Sequence, residues 1–141
     1  MFLIKILVFL HAFALRTTRG RFLGKFRGMD FGAVKTTGMK SGKPRYIPLL
    51  LVPYEDGVIL IASMGGSDKH PSWYWNIKAC PKIRVFWKGE KLNLIAAQVT
   101  DEKKAELWPL ICSFYSPYDA YQKKTKRNIP VFNCQPHPGI D

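Results

Sequence analysis

Residues 36–45 combine basic side chains with turn-forming residues, a pattern that can bind an anion. The segment contains two glycines and a proline together with Lys40, Lys43 and Arg45. Arginine binds phosphate or carboxylate through two parallel hydrogen bonds, and lysine supplies a point charge. Backbone amides of such a turn can add an anion-binding nest. The spacing does not match a P-loop, and a basic hairpin on a solvated edge is the alternative interpretation.

Two further segments combine small, aromatic and amide side chains. Ser63-Met64-Gly65-Gly66 follows a predicted strand, where small residues let a ligand approach the backbone, although any hairpin loop can have this composition. In His70–Ile77, three adjacent aromatic residues cannot share one helical face, so at least one points away from the core. Asn76 can then place its amide beside a planar ring. Core packing with an amide cap is the alternative.

A tyrosine-rich segment, Tyr115–Tyr121, is the fourth candidate. Tyr118 and Tyr121 are three residues apart and can line one side of a pocket. Phenol groups donate hydrogen bonds without carrying charge, which suits the orientation of a carbonyl or quinone oxygen, and core packing is again the alternative. The chain has no GxSxG, HExxH or paired-carboxylate pattern. If the protein is an enzyme, we therefore expect a bound cofactor to supply the chemistry.

The elements that position these segments are short strands at hairpin spacing with helices between them. Hydrophobic patterns predict strands at residues 31–35, 46–52, 58–63, 82–88, 91–99 and 129–134. They predict helices at residues 1–15, 70–78 and 100–114, the last capped by Thr100. Strands and long helices do not alternate, which disfavours a doubly wound parallel sheet. The pattern favours an α+β, mainly β fold built on a small antiparallel barrel.

Composition and charge narrow the class of protein. The chain has 141 residues, 47% of them hydrophobic, which excludes a disordered tail and fits one domain. Its formal net charge is +12, and the first 50 residues hold ten basic residues against one acid, Asp30. A negative partner is expected there: phosphate groups, an acidic ligand or an anionic membrane surface. Three dispersed cysteines and three dispersed histidines predict a reducing compartment and no metal site.

The first 15 residues are apolar except for Lys5 and His11. They are too short for a transmembrane helix, which needs about 20 apolar residues. Three interpretations remain: an interfacial anchor followed by basic residues, a secretory signal ending at Ala12-Phe13-Ala14, or a helix that caps the core. The early charge inside the apolar stretch weakens the signal interpretation. We predict a division into residues 1–27, an apolar helix with a basic linker, and residues 28–141, the cofactor-binding domain.

Taken together and in order, four motifs resemble those of the deazaflavin-dependent nitroreductase family, the quinone and nitro reductases that use coenzyme F420. The similarity covers about residues 30–134. The motifs are Lys35-Thr-Thr-Gly-Met-Lys-Ser-Gly-Lys-Pro-Arg45, Ser63-Met-Gly-Gly66, His70-Pro-Ser-Trp-Tyr-Trp-Asn76, and Tyr115 to Tyr121 followed by Asn128-Ile-Pro130. The resemblance implies a split β-barrel of the FMN-binding type. It also implies transfer of a hydride from reduced coenzyme F420 to a quinone or nitro compound.

The resemblance also implies which residues surround the cofactor. The phosphate and acidic tail would meet Met39, Lys40, Ser41 and Arg45. The strand Tyr46, Ile47, Pro48, Leu49 and Leu50 would run beside the cofactor. The deazaflavin would lie among Ile61, Ala62, Ser63, Met64, Ser72, Trp73, Tyr74, Trp75 and Asn76. Tyr118 would close the pocket and orient the acceptor, with Tyr115 and Tyr121 on the substrate side.

Three positions depart from the common family pattern, and other functions stay open. Met39 and Met64 stand where the family commonly or often has basic residues, and Leu50 stands where it can have tyrosine. FMN is therefore the alternative cofactor, and an FMN- or haem-binding split barrel of other chemistry is the first alternative function. A basic nucleic-acid-binding barrel is the second, and we do not expect that partner. We predict a cytoplasmic protein whose residues 1–27 contact the inner face of the membrane, and the oligomeric state stays open.

Overall fold

The computed structural model describes residues 2–19, 25–26 and 29–137. The helices are α1 (Phe2–Thr17), α2 (Ser72–Ala79), α3 (Asp101–Phe114) and α4 (Pro117–Lys124). The strands are β1 (Lys25–Phe26), β2 (Met29–Thr37), β3 (Pro44–Tyr54), β4 (Gly57–Ile61), β5 (Lys82–Trp87), β6 (Glu90–Gln98) and β7 (Val131–Pro136). A 3-10 turn, Met64–Gly66, follows β4. The predicted helices and strands are all present, with ends that differ by a few residues.

Six strands close into an antiparallel barrel. The sheet order is β1-β2-β3-β4-β7-β6-β5, and an additional pairing between β2 and β5 closes the ring. Ala33 of β2 pairs with Pro48 of β3 on one side and with Phe86 of β5 on the other. This topology, with four helices around it, confirms the predicted α+β, mainly β split barrel.

The barrel is open along the first half of β3. This strand pairs with β2 from Pro44 to Leu51 but with β4 only from Val52 to Tyr54. Pro48 lies in the half that β4 does not reach, as expected for a residue without an amide hydrogen. Residues 46–50, which lie along this opening, are half-buried.

Hydrophobic side chains form a core inside the barrel and a second layer outside it. The inner cluster includes Val34, Leu51, Leu60 and Phe132, and α2 contributes Trp73 to it. The outer layer packs α3 and α4 on the sheet, with these buried members: Val52, Ile59, Ile61, Leu107, Ile111, Tyr118, Ile129 and Val131. As predicted, the Thr100 side chain accepts a hydrogen bond from the Lys103 amide and caps α3.

The C-terminal end of helix α1 packs on the barrel, and its N-terminal end is exposed to solvent. Leu15 is fully buried against Ala33 and Phe86, so the last turns of α1 cover the barrel. The earlier turns expose large apolar side chains: Leu3, Ile4, Ile6, Leu7, Val8, Phe9 and Leu10. Among the described residues, no helix is long and apolar enough to cross a membrane. The predicted boundary at residues 27/28 lies outside the described residues and stays a prediction.

Candidate functional site

A cavity of about 530 Å³, here called the cationic cavity, opens between the β2–β3 turn and α2. Helix α1 adds one residue to its wall. The lining residues are Val8, Thr36, Gly38, Met39, Lys40, Ser41, Arg45, Tyr46, Ile47, Ser72, Trp73, Trp75 and Asn76. Lys40 and Arg45 are exposed, and no acidic residue occurs in this described lining. The cavity therefore suits an anionic ligand.

Asn76 fastens the β2–β3 turn to α2. Its Oδ1 accepts a hydrogen bond from the amide of Met39 at 2.9 Å, and its Nδ2 donates to Oγ1 of Thr36 at 3.2 Å. Both ends of the side-chain amide are thus occupied by the turn. Asn76 lines the cationic cavity and also holds the turn that carries the cationic residues, and its predicted place beside a ligand ring stays a prediction.

Backbone amides of the β2–β3 turn also form hydrogen bonds within the turn. The amide of Gly38 donates to the carbonyl of Lys43, and the amide of Gly42 donates to the carbonyl of Gly38, both at 2.8 Å. The Lys43 amide donates to Oγ of Ser41 at 3.1 Å. With the Met39 amide held by Asn76, four amides of this turn are bonded within the protein and do not contribute to the predicted anion nest. The side chains of Lys40 and Arg45, which line the cavity, are therefore expected to contribute most to anion binding.

Gly38 and Ser41 set the position of Arg45 in this turn. A Cβ atom on Gly38 would lie 2.7 Å from Oγ of Ser41 and 3.4 Å from Nε of Arg45, so a side chain there would displace the Ser41 hydroxyl. Nη2 of Arg45 lies 3.4 Å from the Ser41 hydroxyl, to which it donates. Arg45 thus lines the cavity while contacting Ser41 of the same turn.

A second cavity of about 370 Å³, the tyrosine cavity, adjoins the first. The two cavities share Ile47, Ser72 and Trp73. The tyrosine cavity is mostly apolar, and its lining residues are Ile47, Leu49, Leu50, Ile61, Ser63, Met64, Gly65, Pro71, Ser72, Trp73 and Tyr118. A single ligand can therefore extend from the basic turn to the tyrosine cluster.

Three tyrosine rings pack together at the end of the tyrosine cavity that Tyr118 lines. Tyr118 is 5% exposed, and its ring centroid lies 4.9 Å from that of Tyr115 and 6.2 Å from that of Tyr121. The hydroxyls of Tyr115 and Tyr121 are hydrogen-bonded to each other at 3.0 Å. Burial, reinforced by the neighbouring phenols, raises the pKa of Tyr118 well above its ordinary value. Tyr118 therefore stays a neutral hydrogen-bond donor.

The two cavities collect most of the residues singled out from the sequence. Of the cofactor-binding set, Pro48, Ala62 and Tyr74 do not line either cavity. Ala62 is fully buried, and Tyr74 stacks on His70 at 4.1 Å. Tyr115 and Tyr121 contact the ring of Tyr118 but are not in the described linings.

Five lining residues were not in the predicted set: Val8, Thr36, Gly38, Gly65 and Pro71. Thr36, Gly38, Gly65 and Pro71 lie within motifs that the sequence did identify. Val8 carried no signal, because it is one of many apolar residues in α1 and reaches the cavity only through tertiary packing.

Comparison with known proteins agrees with this geometry. The family model of the F420H(2)-dependent quinone reductases matches residues 8–136. The F420H(2)-dependent quinone reductase Rv1261c of Mycobacterium tuberculosis is 32% identical over 126 residues, 86% of this chain and 85% of that protein. A solved F420-H2 dependent reductase, FDR-A, is 44% identical, with a TM-score of 0.66 over 72% of this chain and 90% of that one.

A second solved structure, described as a domain-swapped dimer, is 39% identical and has a TM-score of 0.67. The match covers 85% of this chain and 94% of that one. The motifs, the split barrel and the extent of these matches lead to one conclusion: the chain belongs to the F420H(2)-dependent quinone reductase family.

Proposed function

We propose that this protein is an oxidoreductase that uses reduced coenzyme F420 to reduce a quinone. The observation that carries the proposal is the pair of adjoining cavities, one basic and without an acidic lining residue among those described, the other apolar and closed by Tyr118. A large ligand with an anionic arm and a flat ring fits such a pair. Family membership supports the same cofactor and acceptor class.

The residues present fit this cofactor. Coenzyme F420 carries a phosphodiester and a chain of glutamates, and Lys40 and Arg45 are placed to bind these anionic groups. Ser72 and Trp73, which belong to both cavities, are placed to contact the deazaflavin ring. Met64 and Leu50 complete an apolar wall beside them. When bound, the reduced deazaflavin supplies a hydride, and the acceptor takes up a proton to become the hydroquinone.

The protein's own part in the reaction is binding and orientation. Tyr118 stays protonated, so its hydroxyl can donate a hydrogen bond to an acceptor oxygen throughout the reaction. The apolar tyrosine cavity limits the access of water to the reacting atoms. Tyr115 and Tyr121 support the ring of Tyr118 from two sides. We expect no protein nucleophile.

The decisive experiment mixes the purified protein with reduced coenzyme F420 and a soluble quinone and follows formation of the oxidised deazaflavin by absorbance. Enzyme-dependent oxidation supports the proposal, and a nitroaromatic acceptor assayed in parallel tests the nitroreductase activity. Reduced FMN serves as the competing cofactor. Binding of FMN with no binding of coenzyme F420 would overturn the cofactor assignment.

We also propose that α1 contacts an anionic membrane surface, on the cytoplasmic side, when the protein reaches a lipid-soluble quinone. The support is the row of exposed apolar side chains in residues 3–10, followed by Arg16 and Arg19. Sedimentation with vesicles of anionic and of zwitterionic lipid tests this. The proposal would be contradicted if the full chain sedimented equally with both kinds of vesicle and a chain lacking residues 2–10 sedimented to the same extent.

A further inference from the structure

The turn that forms one wall of the tyrosine cavity has an unusual backbone. Met64, Gly65 and Gly66 follow one another with φ angles of 46°, 65° and 82°. A positive φ is accessible to glycine but costs energy at methionine, because its Cβ crowds the backbone. Ser63, Met64 and Gly65 all line the tyrosine cavity. Something outside the turn must therefore hold this conformation.

Arg127 holds the turn from both ends. Its Nη1 donates to the carbonyl of Ala62 at 2.9 Å and its Nη2 to the carbonyl of Ser63 at 2.8 Å. Its Nε donates to the carbonyl of Ser67 at 2.9 Å. One planar guanidinium thus bonds to carbonyls before and after the three residues with positive φ. An ammonium group cannot match this fixed arrangement of donors.

The same guanidinium reaches toward α2. Nη1 of Arg127 lies 2.9 Å from Nδ1 of His70, and since a guanidinium only donates, Nδ1 accepts and the ring is neutral. The ring of His70 stacks on Tyr74 at 4.1 Å and meets the edge of Trp75 at 5.5 Å. Trp75 lines the cationic cavity. Arg127 therefore stands behind walls of both cavities without lining either.

Neighbouring residues fix Arg127 itself. The Thr125 hydroxyl donates to Oδ1 of Asp68 at 2.7 Å and accepts from the Arg127 amide at 3.1 Å. Nε2 of Gln122 donates to the Arg127 carbonyl at 2.8 Å. On the opposite side, the turn rests on α4, where a Cβ on Gly66 would lie 2.9 Å from the Tyr121 carbonyl oxygen. The turn is held between Arg127 and α4.

We propose that Arg127 is a positioning residue that sets the shape of the ring-binding region by bracing the Met64 turn and, through His70, α2. This inference rests on the proposed function, because it assumes that the ring of coenzyme F420 lies between these walls. Arg127 touches neither the cofactor nor the acceptor in this assignment. Its effect on them is transmitted through the backbone of residues 62–67 and the ring of His70.

The test is Arg127→Lys, which keeps the positive charge but cannot form the three hydrogen bonds to the carbonyls of Ala62, Ser63 and Ser67. We expect the folded variant to bind coenzyme F420 about tenfold more weakly, since at least two hydrogen bonds to the turn are lost. The tryptophan emission of the protein, to which Trp75 contributes, is expected to shift as the contact of Trp75 with His70 loosens. Lys126→Ala, at the exposed neighbouring position, is the matched control and should bind as the wild type does.

A second variant, His70→Phe, keeps the ring stacked on Tyr74 and removes the acceptor for Nη1. Because one bond is lost, we expect binding to weaken about threefold, which tests the proposal even if Arg127→Lys fails to fold. Lower melting temperatures with unchanged dissociation constants in both variants would show a merely structural role and overturn the inference alone. A wild-type protein that does not bind coenzyme F420 would overturn the proposed function, and this inference with it.

Discussion

The two adjoining cavities, which form the two ends of one cleft, present opposite chemistry. At the cationic cavity, Lys40 and Arg45 are exposed and sit on a turn held by Asn76. At the tyrosine cavity, Tyr118 is buried and uncharged among other aromatic rings. Charges near water attract a ligand over some distance but are weakened by salt. A buried neutral donor adds little attraction and fixes geometry instead.

The cationic cavity is therefore expected to determine affinity for the cofactor, and the tyrosine cavity to determine the orientation of the acceptor. Substitutions at the basic turn should change the dissociation constant of the cofactor in a salt-dependent way. Removing the Tyr118 hydroxyl at the other end should change turnover with the acceptor and leave cofactor affinity nearly unchanged.

The largest effect is expected from Lys40→Ala combined with Arg45→Ala. Removing both cations should raise the dissociation constant of coenzyme F420 about 30-fold at low salt, because two charge-assisted contacts are lost. The loss should shrink as salt is added, which a fluorescence titration at several salt concentrations will show. Lys43→Ala removes a charge from the same turn outside the described lining and serves as the control. An unchanged affinity in the double variant would refute the assignment.

The next largest effect is expected from Asn76→Asp. The new carboxylate can still accept from the Met39 amide and from the Thr36 hydroxyl, so the fold should persist. It also adds negative charge to the cationic cavity, and we expect affinity for coenzyme F420 to fall about tenfold. Asn76→Ala, which loses the anchor without adding charge, separates the two causes. Tight binding by the Asp variant would mean that the anionic arm lies elsewhere.

Tyr118→Phe should act on the acceptor alone. The ring is retained and the hydroxyl is lost, so kcat/KM for the quinone should fall about fivefold while the cofactor dissociation constant stays the same. Steady-state and binding measurements on one preparation will test both parts. Tyr54→Phe removes a hydroxyl outside both described linings and provides the comparison. A changed cofactor affinity would break the division of roles.

The smallest effect is expected from alkaline pH. Because burial raises the pKa of Tyr118, its phenol stays protonated above the ordinary value of about 10. We therefore expect kcat/KM for the quinone to change less than about twofold between about pH 7 and pH 9.5. The burial of the neutral phenol stabilises the fold below about pH 10, and that stabilisation is lost as pH rises further. An alkaline limb that disappears in Tyr118→Phe would contradict this.

The sequence predicted the barrel and both ends of the cleft because their signals are local. The alternation of apolar and charged residues in 82–88 predicts β5, and Thr100 followed by Asp101 and Glu102 predicts the start of α3. The glycines and the proline of residues 36–45 predict the basic turn. Each depends on residues that are close along the chain. The ordered motifs then assigned the cavities to a known family.

What the sequence did not show depends on distant contacts. Arg127 lies in a run of basic residues that looks like an exposed surface, yet it bonds to carbonyls 60 to 65 positions away. The sequence also showed no sign that Asn76 bonds to a turn 37 to 40 residues earlier. Only the closure of the barrel brings these partners together, so no local pattern could reveal them.

The half-open strand β3 has a consequence for solubility. A bare strand edge is a template on which another chain can add a strand, and such pairing leads to aggregation. Here Pro48 removes one backbone donor in the middle of the stretch that β4 leaves unpaired. Pro48 thus discourages the growth of intermolecular sheets along the half of β3 that β4 leaves unpaired.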